Sequence, residues 1–121
     1  MGSIRRLPDG ELEIMQIIWQ LEPPVSRADI EKAHSGHAPT TILTFLQRLC
    51  DKGYLKMEKQ GRSNVYTPLV ARQDYLASES RSLFSRLCGG SVRAFAAALQ
   101  DSGISREELD ELRRLLEEGR L

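Results

Sequence analysis

Large side chains are scarce in this chain, and so are several features that would point to particular chemistries. Aromatics make up 6 % of its 121 residues, although 40 % are hydrophobic overall. A chain so lean has limited means to close several small cores by itself. No run of about 18 apolar residues exists, so no membrane span is expected. The N-terminal "MGSIRRLPDG" lacks the apolar core of a signal peptide. Cys50 and Cys88 lie far apart on apolar helical patterns, which reads as two buried, reduced thiols rather than a disulfide framework. Net charge is zero, with 17 basic and 17 acidic residues, so the total alone implies no polyanionic partner.

The residue patterns of catalysis are equally thin. Serines abound, but no histidine or other base is placed to activate one. "CGGS" is too short to cradle a phosphate in the manner of a G-x-x-x-x-G-K-[ST] loop. Glu11 and Glu13 stand two apart on a helical pattern and point apart, which reads as a solvated face. His34 and His37 form an H-x-x-H pair around an expected turn, with no third ligand fixed nearby. No enzyme activity, cofactor or metal site is expected.

Charge is unevenly spread, however. Arg48 to Arg72 holds six bases and two acids, a balance of +4; Asp101 to Glu118 holds seven acids and three bases, a balance of −4. A local patch can attract a polyanion even when the sum is zero. The basic segment contains "KGYLKMEKQGRSNVYTP". There "YLKMEK" and "NVYTPLV" alternate as half-buried strands do, around a "QGRSN" turn.

Three helices precede that hairpin. Residues 9 to 20 carry Leu12, Met15, Ile18 and Trp19 at helical spacing, with Asp9 and Glu11 near the N-terminus. "EPPV" ends this helix. Ser26 and Asp29 open a short second one with Ile30 and Ala33 inward. "HSGHAP" turns into a third, begun by Pro39 and stopped by Gly53. Its buried stripe is Ile42, Phe45, Leu46 and Leu49, which leaves Thr40, Thr41, Thr44, Gln47 and Arg48 largely off that stripe. Two helices joined by a turn, the second with a polar outer face, are the helix-turn-helix design, whose second helix can enter the major groove. A following basic hairpin, with Lys56 and Lys59 flanking the turn and Arg62 at its tip, can then lie along phosphates. The expected fold is mainly α with a small β-hairpin wing: a winged-helix DNA-binding domain over residues 1–70 and a helical dimerisation domain over 71–121.

The second part has three helices, over 72–88, 91–100 and from a Ser105–Glu108 capping box onward. Their apolar points are Tyr75, Leu76, Leu83, Phe84 and Leu87, then Val92, Phe95, Ala96 and Leu99, then Leu109, Leu112, Leu115 and Leu116. Such short helices can hardly bury their stripes against one another, so a second copy is the expected cover. Packing back onto the first part is the alternative. A winged helix that binds protein rather than DNA also stays open at this point.

"LPDGELEIMQIIWQ", "TTILTFLQRLCDKGYL", "GRSNVYTP" and "GISREELDELRRLLEE" together resemble the BlaI/MecI family of penicillinase repressors, over roughly residues 7 to 118. The resemblance implies a cytoplasmic repressor that binds an inverted-repeat operator as a homodimer and is relieved by proteolysis after a membrane sensor responds to a β-lactam. It puts Thr40, Thr41 and Thr44 at groove-facing positions, Arg48 near the backbone and Arg62 on the wing. Leu43 stands where relatives commonly carry a polar or basic residue, so it can offer an apolar contact to a thymine methyl instead. Ala98 and Leu99 fall where the family's cleaved pair lies. No cysteine follows Cys88, so copper sensing through a cysteine-rich tail is not expected.

Overall fold

The structure, a computed structural model, describes residues 4–33 and 36–119. Its elements run α1 (Asp9–Gln20), β1 (Val25–Ser26), α2 (Arg27–Ala33), α3 (Pro39–Asp51), β2 (Leu55–Gln60), β3 (Ser63–Pro68), α4 (Arg72–Cys88), α5 (Val92–Asp101) and α6 (Arg106–Glu118). Two compact units result, Met1–Glu79 and Ser80–Leu121. The division falls within α4 rather than at the expected step between 70 and 71, because the start of α4 is tied into the first unit. The buried Tyr75 hydroxyl accepts a hydrogen bond from the Leu7 amide at 3.0 Å, and the ring lies 5.8 Å from that of Trp19. Trp19 in turn donates to the Val70 carbonyl at 2.9 Å.

The core of the first unit forms where α1 meets α3. Ile14, Met15 and Ile18 bury completely beside Ile42, Leu46 and Leu49, joined by Ile30, Val25, Tyr54, Leu55 and Tyr66. Leu12, Trp19 and Phe45 are only half-buried, and Ala33 is exposed. Gly10 lets the two helices approach: a methyl group there would sit 2.6 Å from Phe45 Cζ. Pro39 occupies the first turn of α3, where no amide hydrogen is needed. Gly53, at φ +83°, ends it. The Tyr54 amide then reaches back to the Leu49 carbonyl at 2.9 Å and the Gly53 amide to Cys50 at 3.0 Å, a Schellman closure that turns the chain directly into β2.

The sheet has three antiparallel strands in the order β1-β3-β2. Sequence alone left out β1; two residues are too few to show alternation, and "EPPV" read as a helix break only. The hairpin turn is shorter than "QGRSN": Gln60 pairs with Ser63, so Gly61 and Arg62 alone make it. Gly61 adopts φ +65°, which a glycine-first two-residue turn requires. Met57, expected to be half-buried, is 48 % exposed because the core ends at Leu55 and Tyr66.

Glu11 is a correction. It is 2 % exposed, not solvated, and Lys52 Nζ lies 2.5 Å from its Oε1. Helix α1 packs its first turn against the end of α3, which carries Glu11 inward. Lys52, one residue past α3, follows to neutralise it.

In the unit Ser80–Leu121, Ser91 caps α5 and the Ser105–Glu108 capping box opens α6. No residue described between Ser80 and Gly119 is buried. Phe84, Phe95, Leu99 and Leu109 are half-buried, and the Phe84 and Phe95 rings meet edge-on at 6.1 Å. Leu83, Leu87, Val92, Leu112 and Leu116 are exposed, at 38, 66, 72, 37 and 61 %. A groove of about 530 Å³ runs between α5 and α6, lined mainly by Val92, Phe95, Leu99, Leu109, Leu112 and Leu116. Ala98 and Leu99 lie within α5, Ala98 exposed and Leu99 in that groove. Both cysteines are free and half-buried, less enclosed than expected.

Two outcomes follow for stability. Lys52→Ala leaves a buried carboxylate without its cation and is expected to cost about 3 kcal/mol in urea unfolding, whereas Glu11→Met with Lys52→Met should recover most of that loss. Tyr54 donates its hydroxyl hydrogen to the Arg5 carbonyl, and its pKa is pushed up to about 12, chiefly by burial. The unfolded phenol ionises near 10, so this contribution is complete below pH 10 and is lost as pH rises toward 12. The stability difference between the native chain and Tyr54→Phe should therefore shrink over that interval.

Candidate nucleic-acid interface

Burial of Ile42, Leu46 and Leu49 decides which way the rest of α3 faces. Residues two positions off that stripe turn outward. Thr40, Thr44, Gln47 and Arg48 are exposed, Leu43 is 39 % exposed and Thr41 is half-buried. Thr44 donates its hydroxyl hydrogen to the Thr40 carbonyl at 3.1 Å, one turn back, which leaves its oxygen lone pairs and methyl group outward. Gln47 donates its amide to Asp51 at 3.1 Å. The face is thus hydroxyl-rich at its start and held in place further along. His37, just before α3, bonds Glu13 at 3.2 Å and packs edge-on against Phe45, so it braces the start of α3 against α1. His34, the other half of the H-x-x-H pair, lies outside the described residues. Among the described residues no three His, Cys, Asp or Glu side chains are grouped to hold a metal.

The wing sorts its charges by strand parity. Opposed residues of an antiparallel pair share a face. Lys59 is opposite Asn64 and Met57 opposite Tyr66; these share the face of Leu55 and Tyr66, which pack on α3. Lys56 is opposite Thr67 on the other face, 3.7 Å from Glu58. Lys56 and Lys59 therefore do not act on one side, and Lys52 is spent on Glu11. Within that segment, the positive charge beside α3 rests on Arg48, Lys59 and Arg62, a smaller patch than its balance of +4.

Between wing and helices lies a notch of about 300 Å³, lined by Ser26, Arg27, Ala28, Leu43, Arg62, Ser63, Asn64 and Tyr66. Arg27, Asn64 and Tyr66 were not singled out from sequence. Asn64 was detectable by its even spacing from Tyr66; Arg27 gave no signal beyond its place after the Ser26 cap. That cap is reciprocal: Asp29 accepts from the Ser26 amide at 3.0 Å and donates its own amide to Ser26 Oγ at 3.1 Å. These bonds hold the Asp29 carboxyl below its ordinary pKa. Burial pushes the Cys50 thiol up, and the adjacent Asp51 adds to this, so Cys50 carries little of the reactive thiolate at neutral pH.

A short capped helix, a turn, a second helix with an outward polar face and an antiparallel hairpin beside it define a winged helix-turn-helix domain. Residues 7–118 match the sequence model of the penicillinase repressor family, and the chain belongs to that family. Its members are transcriptional repressors, not enzymes. A penicillinase repressor of Bacillus licheniformis is 36 % identical over 98 % of this chain and 94 % of its own length. The methicillin resistance regulatory protein MecI of Staphylococcus aureus is 26 % identical over 91 % of this chain and 92 % of its own. Among solved structures, the DNA-binding domain of the repressor BlaI aligns with a TM-score of 0.53 at 38 % identity, covering 62 % of this chain and 94 % of that one. The Bacillus licheniformis BlaI monomeric form in complex with the blaP half-operator aligns at 0.51, with the same identity and coverage. No described helix is long and apolar enough to cross a membrane.

Proposed function

We propose that this protein is a homodimeric, cytoplasmic repressor that binds an inverted-repeat DNA operator. One observation carries the reading: α3 exposes Thr40, Thr44, Gln47 and Arg48 on the side opposite its buried stripe, and its Leu43 shares a notch with Arg62 of the wing tip. Hydroxyls and methyls on such a face can meet base edges in the major groove, while Arg48, Lys59 and Arg62 take phosphates. Thr41 is half-buried and contributes at the edge; Lys56 contributes least, being on the far face of the wing. The half-operator complex of the BlaI relative supports DNA as the partner.

A second copy is the proposed cover for the C-terminal helices, which have apolar stripes and, among the described residues past Ser80, none that is buried. Two-fold symmetry then calls for two half-sites about one helical turn, or a small multiple, apart. Relief by signal-dependent proteolysis, with a membrane sensor or protease as the further partner, would act at or near Ala98 and Leu99. Both lie within a helix, so that segment must unwind before a protease can hold it extended.

A mobility shift on the DNA upstream of the protein's own coding region, followed by footprinting, tests the reading directly. A protected palindrome is the expected result; failure to retard any duplex would overturn it. Two substitutions separate the roles within the interface. Arg62→Ala should weaken binding to specific and random DNA alike and reduce the log–log salt slope by at most about 0.9, one phosphate's worth. Thr44→Ala should cost about 1–3 kcal/mol on the operator and little on random duplex. The dimer has its own check: Leu112→Asp should sediment as a monomer and bind a full operator no better than a half-site.

A further inference from the structure

The notch beside the wing is built from two elements that the proposed interface does not otherwise connect. One wall is the start of α2, with Ser26 and Arg27; the other is the hairpin tip, with Arg62, Ser63 and Asn64; Leu43 of α3 and Tyr66 close it. Two arginines thus line one cavity of about 300 Å³, which has room for a phosphodiester group. Arg27 is braced through Nε by Glu31 at 2.8 Å, one turn along α2. The wall opposite carries Asn64 and Tyr66, which line the same cavity as Arg27. Burial pushes the Tyr66 phenol up, and the nearby Asn64 and Arg27 offset part of that rise.

We infer that this notch is a backbone-phosphate site, in which Arg27 from α2 and Arg62 from the wing grip the same phosphate of the DNA strand that passes over Leu43. Resting on the proposed DNA reading, it adds a positioning residue, Arg27. A guanidinium can donate two parallel hydrogen bonds to phosphate oxygens. Two arginines from opposite walls therefore fix the register of the strand as well as holding it. The hydroxyls of Ser26 and Ser63 and the amide of Asn64 line the same space and complete a polar cradle. Leu43, at its floor, would face the sugar and base next to that phosphate.

The test replaces backbone phosphates of the footprinted duplex, one at a time, with neutral methylphosphonates. The full chain, Arg27→Ala, Arg27→Lys, Arg62→Ala and the double variant are each titrated against the set. At one position, neutralisation should weaken the native chain several-fold, each alanine variant less, and the double variant hardly at all, with Arg27→Lys between the native chain and Arg27→Ala. Losses of Arg27→Ala and Arg62→Ala should be less than additive in the double variant. Sensitivity of the two alanine variants to two different phosphates, or unchanged affinity of Arg27→Ala at every position, would overturn the shared site. Saturable binding of inorganic phosphate to the free protein, abolished by Arg27→Ala without any effect on duplex affinity, would also overturn it, in favour of a small-anion site. If the native chain retards no duplex at all, the failure lies with DNA binding itself. Circular dichroism of Arg27→Ala should match the native chain, since the residue is exposed.

Discussion

Everything on the outer surface of the first unit depends on how α1 packs against α3. Ile14, Met15 and Ile18 on one helix and Ile42, Leu46 and Leu49 on the other are buried almost without remainder. A helix held by one stripe cannot rotate without exposing it, at a cost of about 1.5–3 kcal/mol for each large aliphatic residue. The outward direction of Thr40, Thr44 and Gln47 is therefore not a property of those residues. It follows from the burial of their neighbours. Gly10 belongs to the same constraint: a side chain there would press on the Phe45 ring at the middle of α3. Glu11 and Lys52 add a directional tie at the far end of the contact, because an ion pair specifies partner and position in a way that aliphatic packing does not.

The constraint explains what could be read from sequence. The stripe of α3, its proline start and its glycine stop are local signals with clear physical causes, and the structure has all three. The hairpin, the capped α2 and the capping box of α6 were legible for the same reason. What escaped were features that depend on residues distant in the chain. β1 exists only because Val25 and Ser26 find Tyr66 and Val65 to pair with. Glu11 looked solvated because its partner is 41 positions away. Arg27 faces a cavity whose other wall is the wing, and nothing within α2 announces that. Strand parity was available but unused: an odd spacing puts Lys56 and Lys59 on opposite faces.

Electrostatics changes character once these partners are known. A segment balance of +4 treats every base as equal. In the folded chain Lys52 is neutralised by a buried carboxylate, and Lys56 leans toward Glu58 on the far side of the wing. The charge left beside α3 is modest. A protein with zero net charge and a few well-placed guanidiniums gains less from long-range attraction than a strongly basic one. Its discrimination among sequences then rests more on contacts that require the correct register, which is the role a fixed phosphate grip would serve.

Modest charge also bears on why such a domain would work in pairs. One winged helix with few phosphate contacts binds a half-site weakly. Joining two through their C-terminal helices converts the second binding event into an intramolecular one, so affinity for a palindrome can rise by about 10²–10⁴ without any new base contact. The C-terminal unit is suited to that task because it is incomplete. With Leu87, Val92 and Leu116 more than half exposed and none of its described residues fully enclosed, it has little stability of its own to lose. On the proposed reading, an assembly held by so open a pair of helices also comes apart readily when one of them is cut or unwound. On that reading, tight binding to the operator and easy release from it would have the same structural origin.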